Sequence, residues 1–110
     1  MKVIYVEPRK SAEVVEIGER LLDLQEAVGG YIEAIYPFDD PVCLICNEEG
    51  KLMALEPNRT LRTADGVPYD VIYGPFLIAG LTADNFGGLN KKLQNKYLSI
   101  FREPEEFPIK

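Results

Sequence analysis

Apolar residues come in short bursts along this chain, and turn-forming residues separate the bursts. Val3-Ile4-Tyr5-Val6 is a β-branched and aromatic run that predicts a strand over Lys2 to Glu7. Pro8-Arg9-Lys10-Ser11 breaks it, and Val14, Val15 and Ile17 predict a second strand over Ala12 to Ile17, returned by a short hairpin. The period then changes. Over Glu19 to Val28, Leu21, Leu24 and Val28 recur at helical spacing and Leu22 widens the apolar face. Glu19, Arg20, Asp23 and Glu26 form the wet side, and Gly29-Gly30 supplies a left-handed stop.

Tyr31 to Tyr36 alternates in a strand-like way and ends at the turn Pro37-Phe38-Asp39-Asp40-Pro41. Val42 to Cys46 is continuously apolar, the mark of a strand covered on both faces. Asn47-Glu48-Glu49-Gly50 reads as a hairpin turn, with Lys51 to Leu55 as the returning partner strand. Glu56 to Pro68 is the least regular stretch and reads as a long loop, a class that often carries function. Tyr69 to Gly80 is a long apolar strand interrupted by Pro75, so it is an edge, a bulge or two strands in series. Thr82 to Asn85 can start a short helical turn. A final helix runs from Asn90 to Arg102, with Leu89, Leu93, Tyr97, Ile100 and Phe101 on one face and Lys91, Lys92, Gln94, Asn95 and Lys96 on the other. The segment 103–110, EPEEFPIK, reads as an extended tail.

The expected order is β-β-α-β-β-β-loop-β-α. This is a single α+β domain over 1–110, a small mixed or antiparallel sheet with two helices, similar in order to a β-grasp sheet crossed by one helix. Composition agrees: 46% of residues are hydrophobic and 27% charged, as in ordinary globular domains. The net charge of −6 argues against direct nucleic-acid binding, which needs a basic face. No run approaches the roughly 20 apolar residues of a membrane span, and the N-terminus lacks a signal-peptide core. The expected location is the cytoplasm, with no membrane partner.

Chemistry is sparse. There is no histidine, which removes His-activated nucleophiles, His-ligated metals and the commonest base near neutral pH. Cys43 and Cys46 lie on an apolar strand, where positions three apart face opposite sides, so they read as core thiols rather than chelators. Neither cofactor nor metal is expected. Asp39-Asp40 and Glu48-Glu49 sit in turns, where acids are favoured for local reasons. Lys91, Lys92 and Lys96 form a basic stripe that gains meaning only if the fold joins it to Arg59, Arg62 and Arg102. The best candidate site is the irregular loop. Arg59 and Arg62 suit bidentate recognition of phosphate or carboxylate, with Asn58 beside them and Tyr69 and Tyr73 near enough to stack on a ligand.

Several segments together resemble a known family: Val3-Ile4-Tyr5-Val6-Glu7-Pro8, Gly29-Gly30-Tyr31-Ile32-Glu33, Tyr36-Pro37, Ile45 through Leu52, Pro57-Asn58-Arg59 and Gly74-Pro75-Phe76. The family comprises short uncharacterised proteins carried by phages, plasmids and conjugative elements of Gram-positive gut bacteria. The resemblance spans about Lys2 to Phe101 and names no catalytic residue. It implies a protein accessory to a mobile element, acting in transfer or against host defence. The expectation is therefore a non-enzymatic binding protein, with a host protein or a small anionic ligand as partner. The alternatives are an adaptor or homodimer that uses a sheet edge and, behind it, an enzyme with carboxylate or Tyr chemistry.

Overall fold

A computed structural model describes residues 1–108; the end of the tail lies outside the described residues. Ten elements follow in order: β1 (Lys2–Val6), β2 (Glu13–Glu16), α1 (Leu21–Val28), β3 (Ile32–Ile35), β4 (Val42–Asn47), β5 (Pro57–Arg62), β6 (Pro68–Tyr73), β7 (Phe76–Leu81), β8 (Phe86–Gly87) and α2 (Lys91–Ile100). The main sheet runs β2-β1-β7-β4-β3, with the short β8 beside β7, and every pair is antiparallel. β5 and β6 form a separate two-stranded ribbon. The fold is α+β, as the apolar pattern predicts. The two expected helices lie on opposite faces of the sheet, α1 on one and α2 on the other, rather than one helix alone crossing it as in a β-grasp.

The two faces explain the sequence of the central strands. On one face Val3, Cys43, Ile45, Leu77 and Ala79 pack with Leu24 of α1. On the other, Ile4, Val6, Leu44, Cys46, Phe76 and Ile78 pack with Tyr97 and Phe101 and with Leu61 and Ile72 of the ribbon. β4 is therefore buried along its whole length, and Cys43 and Cys46 fall on opposite faces as strand geometry demands. Each fully buried aliphatic side chain of this kind contributes about 1.5–3 kcal/mol.

α1 is short and docks through its second half. Leu24 and Val28 are buried, whereas Leu21 and Leu22, expected on the apolar face, are exposed. Gly29 ends the helix in the left-handed conformation, with φ 79°. α2 begins at Asn90, whose Oδ1 accepts the Leu93 N–H at 2.9 Å. Gln94 belongs to the inner side rather than the wet one: it is buried, and its amide donates to the Leu89 carbonyl at 2.7 Å. Ile100, expected inside, is half exposed.

Three further segments depart from expectation. Lys51 to Leu55 is not a returning strand, because both edges of β4 are taken by β3 and β7. It coils instead: Met53 N–H donates to Glu49 O at 2.8 Å, Leu55 N–H to Gly50 O at 3.0 Å, and Ala54 adopts φ 54°. The stretch Glu56 to Pro68 is not a loop throughout, since Pro57–Arg62 forms β5 and a tight turn at Asp65-Gly66 leads into β6. The Tyr69 to Gly80 run is two strands in series. Gly74, at φ 84°, turns the chain between the ribbon and the main sheet, and a Cβ there would meet Leu55 Cδ1 at 2.7 Å. Thr82 to Asn85 is a turn closed by the Thr82 hydroxyl, leading into β8 rather than into a helix.

Candidate functional site

The ribbon breaks regular alternation at Asn58, where the register shifts between Pro57 and Arg59. An extra residue in one strand lets two successive side chains turn inward. Asn58 and Arg59 are accordingly both buried, Arg59 to 2% exposure. Asn58 Nδ2 donates to Val6 O and to Gly74 O, each at 2.9 Å, and ties the ribbon to the end of β1.

The Arg59 guanidinium is spent largely on backbone. Nη1 donates to Asn58 Oδ1 at 2.8 Å and Asn58 O at 3.2 Å. Nη2 donates to Lys10 O at 2.6 Å and Phe101 O at 2.9 Å. The Phe101 carbonyl, at the end of α2, also accepts the Ala12 N–H at 3.3 Å, and Arg59 places positive charge where a helix favours it. Burial lowers the pKa of Arg59, and the group stays charged. Its Nε is buried and has no partner among the described residues.

Between the ribbon, the Pro37–Asp39 turn and the second half of α2 lies a cleft of about 630 Å³. This is within the usual range for ligand sites, roughly 300–1,000 Å³. Phe38, Tyr97 and Phe101 line it in edge-to-face contact, with ring centroids 4.9 Å apart for Phe38–Tyr97 and 6.1 Å for Phe38–Phe101. Arg59, Thr60, Arg62 and Tyr69 supply the ribbon wall, and Tyr69 is 55% exposed. Lys96 stands on the opposite side.

Asp40 fixes the turn to the helix, accepting from Lys96 Nζ at 2.6 Å and from the Tyr97 hydroxyl at 2.7 Å. The Lys96 bond, then the Tyr97 bond, hold its carboxyl below the usual carboxylate range. Burial, reinforced by Asp40, pushes the Tyr97 phenol well above its ordinary value.

The tail closes the site. One Glu105 oxygen accepts the Thr60 backbone N–H of β5, and the other lies 3.7 Å from Arg62 Nη2. A carboxylate thus already rests on a backbone donor beside an arginine fork.

Of the five residues singled out from sequence, the fold brings Arg59, Arg62 and Tyr69 to this cleft. Asn58 is sealed behind the ribbon. Tyr73 lines a separate depression of about 360 Å³ with Lys51, whose Nζ lies 6.0 Å from its ring. Lys96 joins Arg59 and Arg62 at the cleft, and Lys91, Lys92 and Arg102 do not line it. Thr60, Phe38, Asp40 and Glu105 were not singled out as site residues. Paired acids after an aromatic and a Pro-spaced acidic tail were their only signals.

These features define a small α+β domain with helices on both faces of an antiparallel sheet and one mixed-charge aromatic cleft. A family model described as a domain of unknown function (DUF3846) matches residues 1–102, and the chain belongs to that family. No curated protein and no solved structure matches the chain. Among the described residues, no helix is long and apolar enough to cross a membrane.

Proposed function

We propose that the protein is a non-enzymatic binding module whose cleft takes an anionic group, carboxylate or phosphate, presented by a small ligand or by a partner protein. The observation that carries this reading is the Glu105 carboxylate held by the Thr60 N–H and Arg62. The tail occupies the cleft as an external anion would, and it lies beyond the residues that the family shares. The unpartnered Nε of Arg59 supports the same reading, because a buried donor without an acceptor costs about 1–3 kcal/mol until one arrives. Tyr69 offers an exposed ring for stacking. Asp40, Lys96 and Tyr97 are engaged with one another in a structural contact between turn and helix, which favours binding over catalysis for these three groups. On a mobile element, the setting that the sequence resemblance implies, such a module would act by occupying a host component.

The test is a titration of the Glu105→Gln variant, followed through backbone amide NMR shifts. Inorganic phosphate, nucleotides and a glutamate-rich peptide are the probes. Saturable shifts centred on Thr60, Arg62 and Tyr69, abolished by adding Arg62→Ala, are expected. Silence at those amides with all three probes at millimolar concentration would refute the site.

A further inference from the structure

β3 is the last strand of the main sheet and, among the described residues, is paired only with β4. Tyr31 O accepts the Glu48 N–H at 2.9 Å, so in this strand the odd-numbered residues aim their backbone at β4. Ile32, Ala34 and the following Tyr36 therefore aim theirs outward, an unpaired edge of donors and acceptors. The edge carries no lysine, no internal proline and no bulge; its guards are its four-residue length and the single charge of Glu33. It is flanked by two tyrosines, Tyr31 at 69% exposure and Tyr36 at 62%. The opposite edge strand, β2, has a glutamate at each end, Glu13 and Glu16.

We propose that β3 pairs antiparallel with the β3 of a second copy, about a twofold axis at Ala34, to give one continuous sheet across two molecules. Residues that face each other across such an axis must lie on the same side of the sheet, so the axis passes through a residue position. Glu33 and Ala34 are the two central choices. An axis at Glu33 sets two carboxylates opposite each other at about 4.5 Å between Cα atoms, which is repulsive. An axis at Ala34 instead sets Ala34 against its own copy, Ile32 against Tyr36, and Glu33 against Ile35. Charge therefore selects the register. The Ile32–Tyr36 contacts, made twice by symmetry, are aromatic-to-β-branched pairs, which stabilise sheets. The outward backbone of Ile32, Ala34 and Tyr36 then forms hydrogen-bonded pairs. The contact is a narrow one, so the association is expected in the micromolar range rather than tighter.

Sedimentation equilibrium of the whole chain from micromolar to millimolar concentration tests this. Wild type is expected to dimerise, and Ala34→Pro to remain monomeric with an unchanged circular dichroism spectrum. Its lost N–H donates to nothing inside the monomer, and edge strands tolerate proline where the N–H faces out. Ala34→Cys supplies an independent readout. Hydrogen-bonded partners sit about 5.5 Å apart at Cα, inside the disulfide window of about 4.4–6.8 Å. Oxidised Ala34→Cys is expected to cross-link, while Glu33→Cys, offset from its own copy, is not. The buried Cys43 and Cys46, with thiols pushed up to about 11, do not compete. A wild type that stays monomeric at millimolar concentration overturns the proposal, as does a dimer indifferent to Ala34→Pro. Equal cross-linking through Glu33→Cys overturns the register.

Discussion

Arg59 and Arg62 look equivalent in the chain and are opposites in the molecule. Arg59 is buried and holds Lys10, Asn58 and Phe101 together, whereas Arg62 is exposed and pairs loosely with Glu105. Arg59→Ala should therefore cost about 3 kcal/mol in urea denaturation, the scale for removing one member of a buried charged network. Arg62→Ala should cost less than about 0.5 kcal/mol, as exposed ion pairs do, and so isolates binding from stability. The cysteines give a second residue-scale expectation. Burial pushes both thiols up to about 11, so neither should react with a thiol reagent in the native state at neutral pH, and both should react on unfolding. Strand alternation sufficed to place Cys43 and Cys46. The burial of Arg59 was not legible, because its stretch reads as loop and the bulge at Asn58 that turns it inward has no local signal.

Among the elements, the apolar strands and the presence of both helices were legible from period, but not the whole of each buried face, since Leu21, Leu22 and Ile100 are exposed and Gln94 is buried. The ribbon was not legible. Asn58 to Thr63 is polar enough to read as loop, and it becomes a strand because β6 pairs with it and Leu61 reaches the core. The Asp65-Gly66 turn was the available hairpin signal. The corner at Gly74 is the point on which the ribbon's placement depends. Gly74→Ala should lower stability by about 1–2 kcal/mol, since it combines a positive φ with a close Leu55 contact, and a melting curve would show it. The contact between turn and helix carries a pH signature. Asp40 titrates lower when folded, so its contribution is complete above about pH 4 and is lost as pH falls through the folded value. The stability gap between wild type and Asp40→Asn should narrow in acid. Tyr97 titrates higher when folded, so its contribution is complete below about pH 10 and is lost as pH rises beyond it. Wild type should lose stability there faster than Tyr97→Phe.

In the whole molecule, β7 occupies the middle of the sheet although it comes late in the chain. β1 and β2 form one hairpin and β3 and β4 another, and among the described residues β7 is the only strand that pairs with both. During synthesis the two hairpins must therefore wait as separate halves, each with an open side, until residues 76–81 leave the ribosome. Closure of the sheet is then a single long-range step, a slow kind of event for a chain of this size. A nascent chain stalled before Phe76 should be degraded readily, and one released past α2 should resist. The order in which the strands are made thus gives the chain a window, during its own synthesis, in which both halves of the sheet stand open to proteases.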